Sequence, residues 1–177
     1  FQDVPMQRVG ISNRYVGSLN FEPSAVPAIL FENPVSQTIA PIKFDDGSIS
    51  AIGIPVILES KQVITKAKLN IVVAGAPQGK IISRIVKDNN GSPSLDPSDI
   101  VAESEQIDIS AFASTTDIIE FDFSRTVLAL GNYWFVYETD QEYKDNYNVS
   151  STHIRVRYYN APDSNISLVS DGASWSA

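Results

Sequence analysis

Few side chains in this sequence can take part in catalysis. The chain has one histidine, His153, and no cysteine among its 177 residues. Thiolate catalysis, disulfide bonds and zinc sites that need cysteine or two histidines are therefore excluded. A Ser-His-Asp triad would depend on His153, but no G-x-S-x-G motif supplies a nucleophile. Because His153 lies in an alternating segment beside Arg155, we expect it on the surface of a strand.

Paired carboxylates are the next candidates, because two acids that flank a glycosidic bond can hydrolyse it. Two pairs occur, Glu120 with Asp122 and Glu138 with Asp140. The members of each pair are two positions apart in or beside an expected strand, so their side chains share its outer face. Acids in such positions are ordinarily solvated. We therefore predict that the protein is not an enzyme.

One turn-like segment carries the oxygen atoms that calcium prefers. It reads Asp88-Asn89-Asn90-Gly91, and Asp88 and Asn90 are weak calcium candidates. A tight turn explains these residues equally well, because Asn and Gly tolerate positive φ. The glutamate that ends an EF-hand loop is missing. We predict no cofactor and keep calcium at this turn as the open alternative.

Tyrosine and tryptophan concentrate towards the end of the chain, from Tyr133 to Trp175. An exposed ring beside amide or carboxylate groups can stack on the apolar face of a sugar, while the polar groups bind the sugar hydroxyls. The segment 142–148 is the best candidate for such a surface, and core packing is the alternative for its rings. The predicted glycan-binding residues are Tyr143, Asn146, Tyr147 and Trp175.

Composition limits the class of protein. Hydrophobic residues make up 43% of the chain and charged residues 19%, which is enough apolar material for one folded domain. The net charge of −8 argues against a nucleic-acid partner. No apolar run of about 18 residues is present, so we expect no membrane-spanning segment.

The hydrophobic pattern predicts strands. Apolar residues alternate with a period of two in several segments, most clearly in residues 52–58 and 153–159. Asn, Asp and Gly separate these segments, as strand connections require. We predict an all-β protein, a two-sheet antiparallel β-sandwich of the jelly-roll type, with at most one short helix. Residues 96–106 are ambiguous, because Asp96 followed by Pro97 is a plausible helix start. The predicted core residues are Ile54, Val56, Ile71, Ile85, Phe121, Phe123, Phe135 and Val156.

The first 34 residues have a different character. They hold four of the ten prolines, which resist helix and central strand, yet they are too apolar for a solvated tail. We predict an extended N-terminal arm over residues 1–34 and the sandwich domain over residues 35–177. Because the chain starts at Phe1, we expect a processed or partial form of a longer protein. The arm would dock through Phe21, Ile29, Leu30 and Phe31.

Three motifs suggest a family. Residues 82–93 end in Asp88-Asn89-Asn90-Gly91-Ser92-Pro93. Residues 119–136 contain the pattern F-x-F followed by L-x-x-G-x-Y-W-x-V. The third motif, near the end of the sequence, is Asp171-Gly172-Ala173-Ser174-Trp175. This order of features resembles the choice-of-anchor jelly-roll domains of bacterial surface proteins. It is similar to carbohydrate-binding-like modules in bacteriophage fibres, baseplates and capsid decorations. The resemblance covers residues 35–177.

The resemblance implies a non-catalytic module that adheres, displays or binds glycans, and two functions follow. In the first, the chain is a structural component of a virion, a head fibre, decoration, tail or baseplate protein whose arm docks on other subunits. In the second, it is a secreted or cell-surface carbohydrate-binding module. Both imply an extracellular or virion-surface location. An arm in contact with other subunits favours the first, and an exposed aromatic platform favours the second.

Overall fold

The computed structural model describes residues 42–43, 51–112, 116–148, 150–156, 168–170 and 173–176. The predicted arm and its anchors Phe21, Ile29, Leu30 and Phe31 lie outside these residues, and so does the predicted boundary after residue 34. Within the described part, most residues belong to strands, which confirms the all-β prediction.

The described residues contain one α-helix, α1, which spans Gln141–Asn146. No described helix is long and apolar enough to cross a membrane. The strands are β1 Ile42–Lys43, β2 Ala51–Leu58, β3 Gln62–Ala74, β4 Lys80–Lys87, β5 Ile100–Glu103, β6 Ile107–Asp108, β7 Thr116–Leu128, β8 Gly131–Thr139, β9 His153–Val156, β10 Leu168–Ser170 and β11 Trp175–Ser176.

These strands form two antiparallel sheets. Sheet A has the order β1-β9-β3-β7, and sheet B has the order β11-β10-β2-β8-β4-β5, with β6 also paired to β4. The pairs are nested along the chain: β4 pairs with β5 and β6, β3 with β7, β2 with β8, and β1 with β9. Two antiparallel sheets were predicted, and their presence is confirmed.

The core lies between the two sheets. Phe121 of sheet A contacts Tyr137 of sheet B with 5.3 Å between ring centroids, and Phe123 contacts Phe135 at 6.2 Å. Each fully buried side chain of this size contributes about 1.5–3 kcal/mol. Of the predicted core residues, only Ile54 is not fully buried; it packs against the edge of the cluster. The period-two pattern therefore identified the inward face of both sheets.

The described α-helix lies outside the segment that the sequence left ambiguous. Residues 96–106 contain a single 3₁₀ turn at Pro97–Asp99 rather than a short α-helix. The helix begins instead after Asp140, whose Oδ1 accepts a hydrogen bond of 3.0 Å from the backbone N–H of Tyr143. Asp at this position satisfies one of the free N–H groups of the first turn. A six-residue helix is too short to show a helical hydrophobic period.

The predicted surface position of His153 is wrong. Only 3% of its surface is exposed, although its neighbours Ile154 and Val156 face the core as expected. The ring of Tyr147 lies over it, with 6.5 Å between centroids, and its Nδ1 is 3.4 Å from the carbonyl oxygen of Asn148. The connection between α1 and β9 thus covers the outward side of the strand, which strand alternation does not reveal.

Candidate functional site

The outer face of sheet B carries a second apolar cluster. Trp134 and Val136 of β8 are buried there beside Val86 of β4 and Ala51 of β2. Strand register explains the grouping, since Trp134 lies opposite Val86 and Val136 lies opposite Gly53 and Arg84. An apolar outer face is stable only if other residues shield it from water. Residues 93–100, here called the cap segment, and Trp175 of β11 provide it.

Gly53 makes this cover fit. A Cβ atom at this position would lie 2.9 Å from Cγ of Pro93, 3.1 Å from the Trp175 ring and 3.3 Å from the Trp134 ring. The missing side chain therefore lets a proline and two indole rings converge over the strand. The cap segment and β11 meet at this point of sheet B.

Asp88 fastens the turn that leads into the cap segment. Its Oδ1 accepts a 2.7 Å hydrogen bond from the indole N–H of Trp134, and its Oδ2 accepts one of 3.2 Å from the backbone N–H of Gly91. Asn90 adopts a φ of 54° in the same turn. The two calcium candidates thus have turn-forming roles. Among the described residues, no group of three or more His, Cys, Asp or Glu is arranged to hold a metal ion.

A cleft of about 390 Å³ opens beside the cover. Its floor is the outer face of sheet B, one wall is the cap segment and the other is Trp175, which is half-buried. The lining residues are Ala51, Arg84, Val86, Ser94, Leu95, Asp96, Pro97, Ile100, Val136, Glu138, Ser170 and Trp175. We call it the Trp175 cleft.

The polar centre of the Trp175 cleft is Arg84. Its Nε donates to Glu103 and its Nη1 donates to Glu138, so the guanidinium group is held between two carboxylates. The side chain is 25% exposed. Bonds to two acceptors fix the plane of the guanidinium group and keep its orientation constant. Arg84 was not among the residues predicted from the sequence, because it lies near Glu138 only through the cross-strand register of β4 and β8.

The cap segment is itself held by a polar network. Lys87 Nζ donates to Oδ1 of Asp99 at 3.0 Å, and the Ser94 hydroxyl donates to Oδ2 at 2.8 Å. These two hydrogen bonds, that from Lys87 above all, lower the pKa of Asp99. Asp96 accepts a 2.8 Å bond from the backbone N–H of Ser98 and starts the 3₁₀ turn. These bonds hold the cap segment, which forms one wall of the cleft, in place.

The predicted aromatic surface is divided by the fold. Tyr143 is completely buried, and its hydroxyl oxygen accepts a 2.8 Å hydrogen bond from the backbone N–H of Ile154, so its expected exposure is wrong. Tyr147 is half-buried against Tyr143, with 6.2 Å between ring centroids. Asn146 is exposed. Trp175 lines the cleft on sheet B, and none of the other three residues does.

The carboxylate pairs have structural partners. Glu120 on β7 accepts hydrogen bonds from Lys66 and Lys68 on β3, with N–O distances of 2.8 and 2.7 Å, and these bonds lower its pKa to about 2. Asp122 lies 3.3 Å from Lys66. Glu138 binds Arg84, and Asp140 caps α1, as described above. Each of the four acids is thus engaged with a base or with the backbone.

Comparison with known proteins leaves the function to be argued from these contacts. The glycan-binding, calcium-binding and virion hypotheses remain predictions at this point, and the resemblance to choice-of-anchor domains stays a prediction as well. No family model matches the chain, and neither a curated protein nor a solved structure matches it.

Proposed function

We propose that this chain is a non-catalytic structural and adhesion module of a bacteriophage virion. In this role it is a head fibre, capsid decoration, tail or baseplate protein that docks on other subunits through residues 1–34. The observation that carries the proposal is the nested strand pairing. If β5 and β6 are counted as one interrupted strand, β1 to β9 make eight strands that pair as one long antiparallel hairpin. From the innermost pair outwards, the pairs lie alternately in sheet B and sheet A.

Nested pairing of this kind is the topology of a jelly roll, and we propose that fold for this domain. Jelly rolls are common in viral capsid and lectin domains, which display surfaces rather than perform chemistry. This is an analogy of fold, and function resides in sites and segments. The apolar, proline-rich sequence of residues 1–34 is the segment that suits docking, since proline discourages packing as a helix or a central strand.

The test compares the full chain with a variant that lacks residues 1–34. Sedimentation velocity should show concentration-dependent assembly of the full chain and a monomer for the shortened one. A matched full-length variant with Phe21, Ile29 and Phe31 replaced by Ser should also remain monomeric, because the apolar anchors are removed while the length is kept. Limited proteolysis should cleave the arm in isolated chains and spare it in assemblies. Equal protection of the arm in both would contradict the proposal.

A second candidate function is a secreted or cell-surface carbohydrate-binding module. The Trp175 cleft favours it, because an aromatic wall lies beside a fixed arginine and a carboxylate on an ordered face of the sandwich. The aromatic platform predicted from Tyr143 and Tyr147 does not support it, since Tyr143 is buried. Binding of soluble glycans by the isolated monomer would favour this candidate over the virion module.

A further inference from the structure

We propose that one end of the sandwich binds the N-terminal arm of a second copy of this chain. This inference rests on the proposed function, in which residues 1–34 dock on other subunits, and deepens it, because it names the docking surface and the partner. The surface lies where the turn between β2 and β3 and the turn between β7 and β8 stand side by side. We call it the apolar tip, and its residues are Ile57, Val63, Val127 and Leu130.

Strand register brings the four side chains of the apolar tip to the same end of the molecule. Leu58 pairs with Gly131, so the end of β2 lies beside the start of β8, and Leu130 stands in the turn just before it. In sheet A, Val63 near the start of β3 pairs with Val127 near the end of β7. Because β2 continues into β3, and β7 into β8, through short turns, the two pairs meet at one end of the sandwich.

The apolar tip is open to solvent. Ile57 is 71% exposed and Leu130 is 72% exposed, which are the two highest values among the large hydrophobic residues that the structure describes. Val127 is exposed as well. Single exposed apolar residues are normal on a protein surface, whereas a group of them in one place marks an interaction site. The partner of such a site is itself apolar.

The direction of β1 places the arm at the same end of the molecule. Ile42 of β1 and Ile71 of β3 both pair with Val156 of β9, and both pairings are antiparallel, so β1 and β3 run in the same direction. β3 starts at Gln62, beside the apolar tip. The chain therefore enters β1 from the side on which the tip lies.

The length of the arm favours the tip of another copy over its own. Ile42 lies level with Ile71, which is about 30 Å from the end of the sandwich at Gln62. The 11 positions from Ile42 back to Phe31 span about 36 Å when extended, so Phe31 would lie at the end of its own domain. Phe21 would lie about 33 Å beyond that end. Anchors that extend past their own domain can reach a copy that faces it end to end.

The arm has the composition that an apolar surface requires. Residues 23–31 contain no charged side chain, so docking of this segment removes no charge from water. Pro23 and Pro27 fix φ within it, which limits the conformational entropy lost on binding. Two copies that face each other can each insert an arm at the other's tip, and this reciprocal exchange closes a dimer with two-fold symmetry.

Sedimentation velocity of full-length chains tests the docking surface. The tip variant carries Ile57→Ser and Leu130→Ser. The matched control carries Leu95→Ser and Ile118→Ser, which remove exposed apolar groups that lie elsewhere. We expect the control to dimerise as the unmodified chain does, and the tip variant to dimerise with a Kd raised at least about tenfold, because two central anchors are lost.

Chemical cross-linking tests the partner and leaves every tip residue and arm anchor in place. The chain has no cysteine, so Ala28→Cys in the arm and Ala129→Cys beside the tip introduce its only two thiols. At a concentration where the chain dimerises, a short bis-maleimide should join positions 28 and 129 of different chains and give covalent dimers. A link between the two positions of one chain would overturn the inference, because the arm would then cover its own tip.

The sedimentation results separate failure of this inference from failure of the proposed function. If the unmodified chain dimerises and the arm variant with Phe21, Ile29 and Phe31 replaced does not, but the tip variant dimerises normally, the arm docks on another surface. The inference is then wrong, and the docking role of the arm stands. If the unmodified chain stays monomeric at every concentration, the inference and the docking role are both wrong.

Discussion

At the scale of single residues, the two tryptophans of the outer face differ in how their indole N–H groups are satisfied. Trp134 donates to Asp88 at 2.7 Å, whereas the buried Nε1 of Trp175 has no hydrogen-bond partner among the described residues. A buried donor that loses its partner, or never has one, destabilises the folded state. The same substitution should therefore have different effects at the two positions.

Trp134→Phe should lower the free energy of unfolding by about 1–3 kcal/mol more than Trp175→Phe does, because it also leaves Oδ1 of Asp88 without its donor. Urea unfolding followed by circular dichroism measures both variants against the unmodified chain. Equal losses would mean that the Asp88 bond contributes nothing to stability. A larger loss for Trp175→Phe would show that the Trp175 indole N–H is satisfied in solution.

Gly53→Ala should destabilise the protein by about 1–3 kcal/mol, as overpacked substitutions do, because the new methyl group would meet the Pro93 ring at 2.9 Å. The matched control is the same change in a Pro93→Ala background, where the obstructing ring is gone. Thermal or urea unfolding of the four chains forms a double-mutant cycle. If Gly53→Ala costs the same with and without the proline ring, the close approach of the cap segment is not its cause.

At the scale of elements, β3 and β7 are joined by an ionic row as well as by their ladder. Lys66 and Lys68 lower the pKa of Glu120 to about 2 from a usual value near 4.5. Because the folded state holds the carboxylate more strongly than the unfolded chain does, the contribution of Glu120 is complete above pH 4.5. It is lost as the pH falls from about 4.5 to about 2.

Glu120→Gln should therefore reduce stability at pH 6 and have much less effect at pH 2, since the wild-type carboxyl is then about half protonated in the folded state and almost fully protonated in the unfolded state. Unfolding midpoints at the two pH values, in low salt and in 1 M salt, measure this. Salt should shrink the difference at pH 6, because the pair is exposed. A difference that is as large at pH 2 as at pH 6 would rule out the ion pairs as its source.

Elements also show where sequence reasoning succeeds and fails. Alternation in β9 correctly placed Ile154 and Val156 in the core, because a strand has only two faces. It misplaced His153, since the covering residue Tyr147 comes from a connection whose path no local pattern specifies. The helix that buries Tyr143 is too short for a periodic signal, and the contact of Trp134 with Asp88 joins residues 46 positions apart. The core-facing sides of the strands could be predicted from the sequence, whereas the residues from other parts of the chain that bury their outer sides could not.

At the scale of the whole molecule, every described strand follows residue 41, so the sandwich should not depend on the arm. Removal of residues 1–34 should leave the urea midpoint and the cooperativity of unfolding unchanged at a concentration where the full chain is monomeric. Circular dichroism during urea titration measures both. A clearly lower midpoint would mean that the arm packs on its own domain, and the docking role proposed for it would then be wrong.

The nested strand pairing has a consequence for synthesis on the ribosome. Among the nested pairs of the described strands, the innermost, β4 with β5 and β6, join neighbouring segments, whereas β2 can pair with β8, and β1 with β9, only after much more of the chain has been made. About 70 residues separate the end of β2 from the start of β8, which at about 5–20 residues per second is a delay of about 4–15 s. During that interval both edges of β2 lack their partner strands, since β10 is made later than β8, and we expect nascent chains of this protein to bind ribosome-associated chaperones.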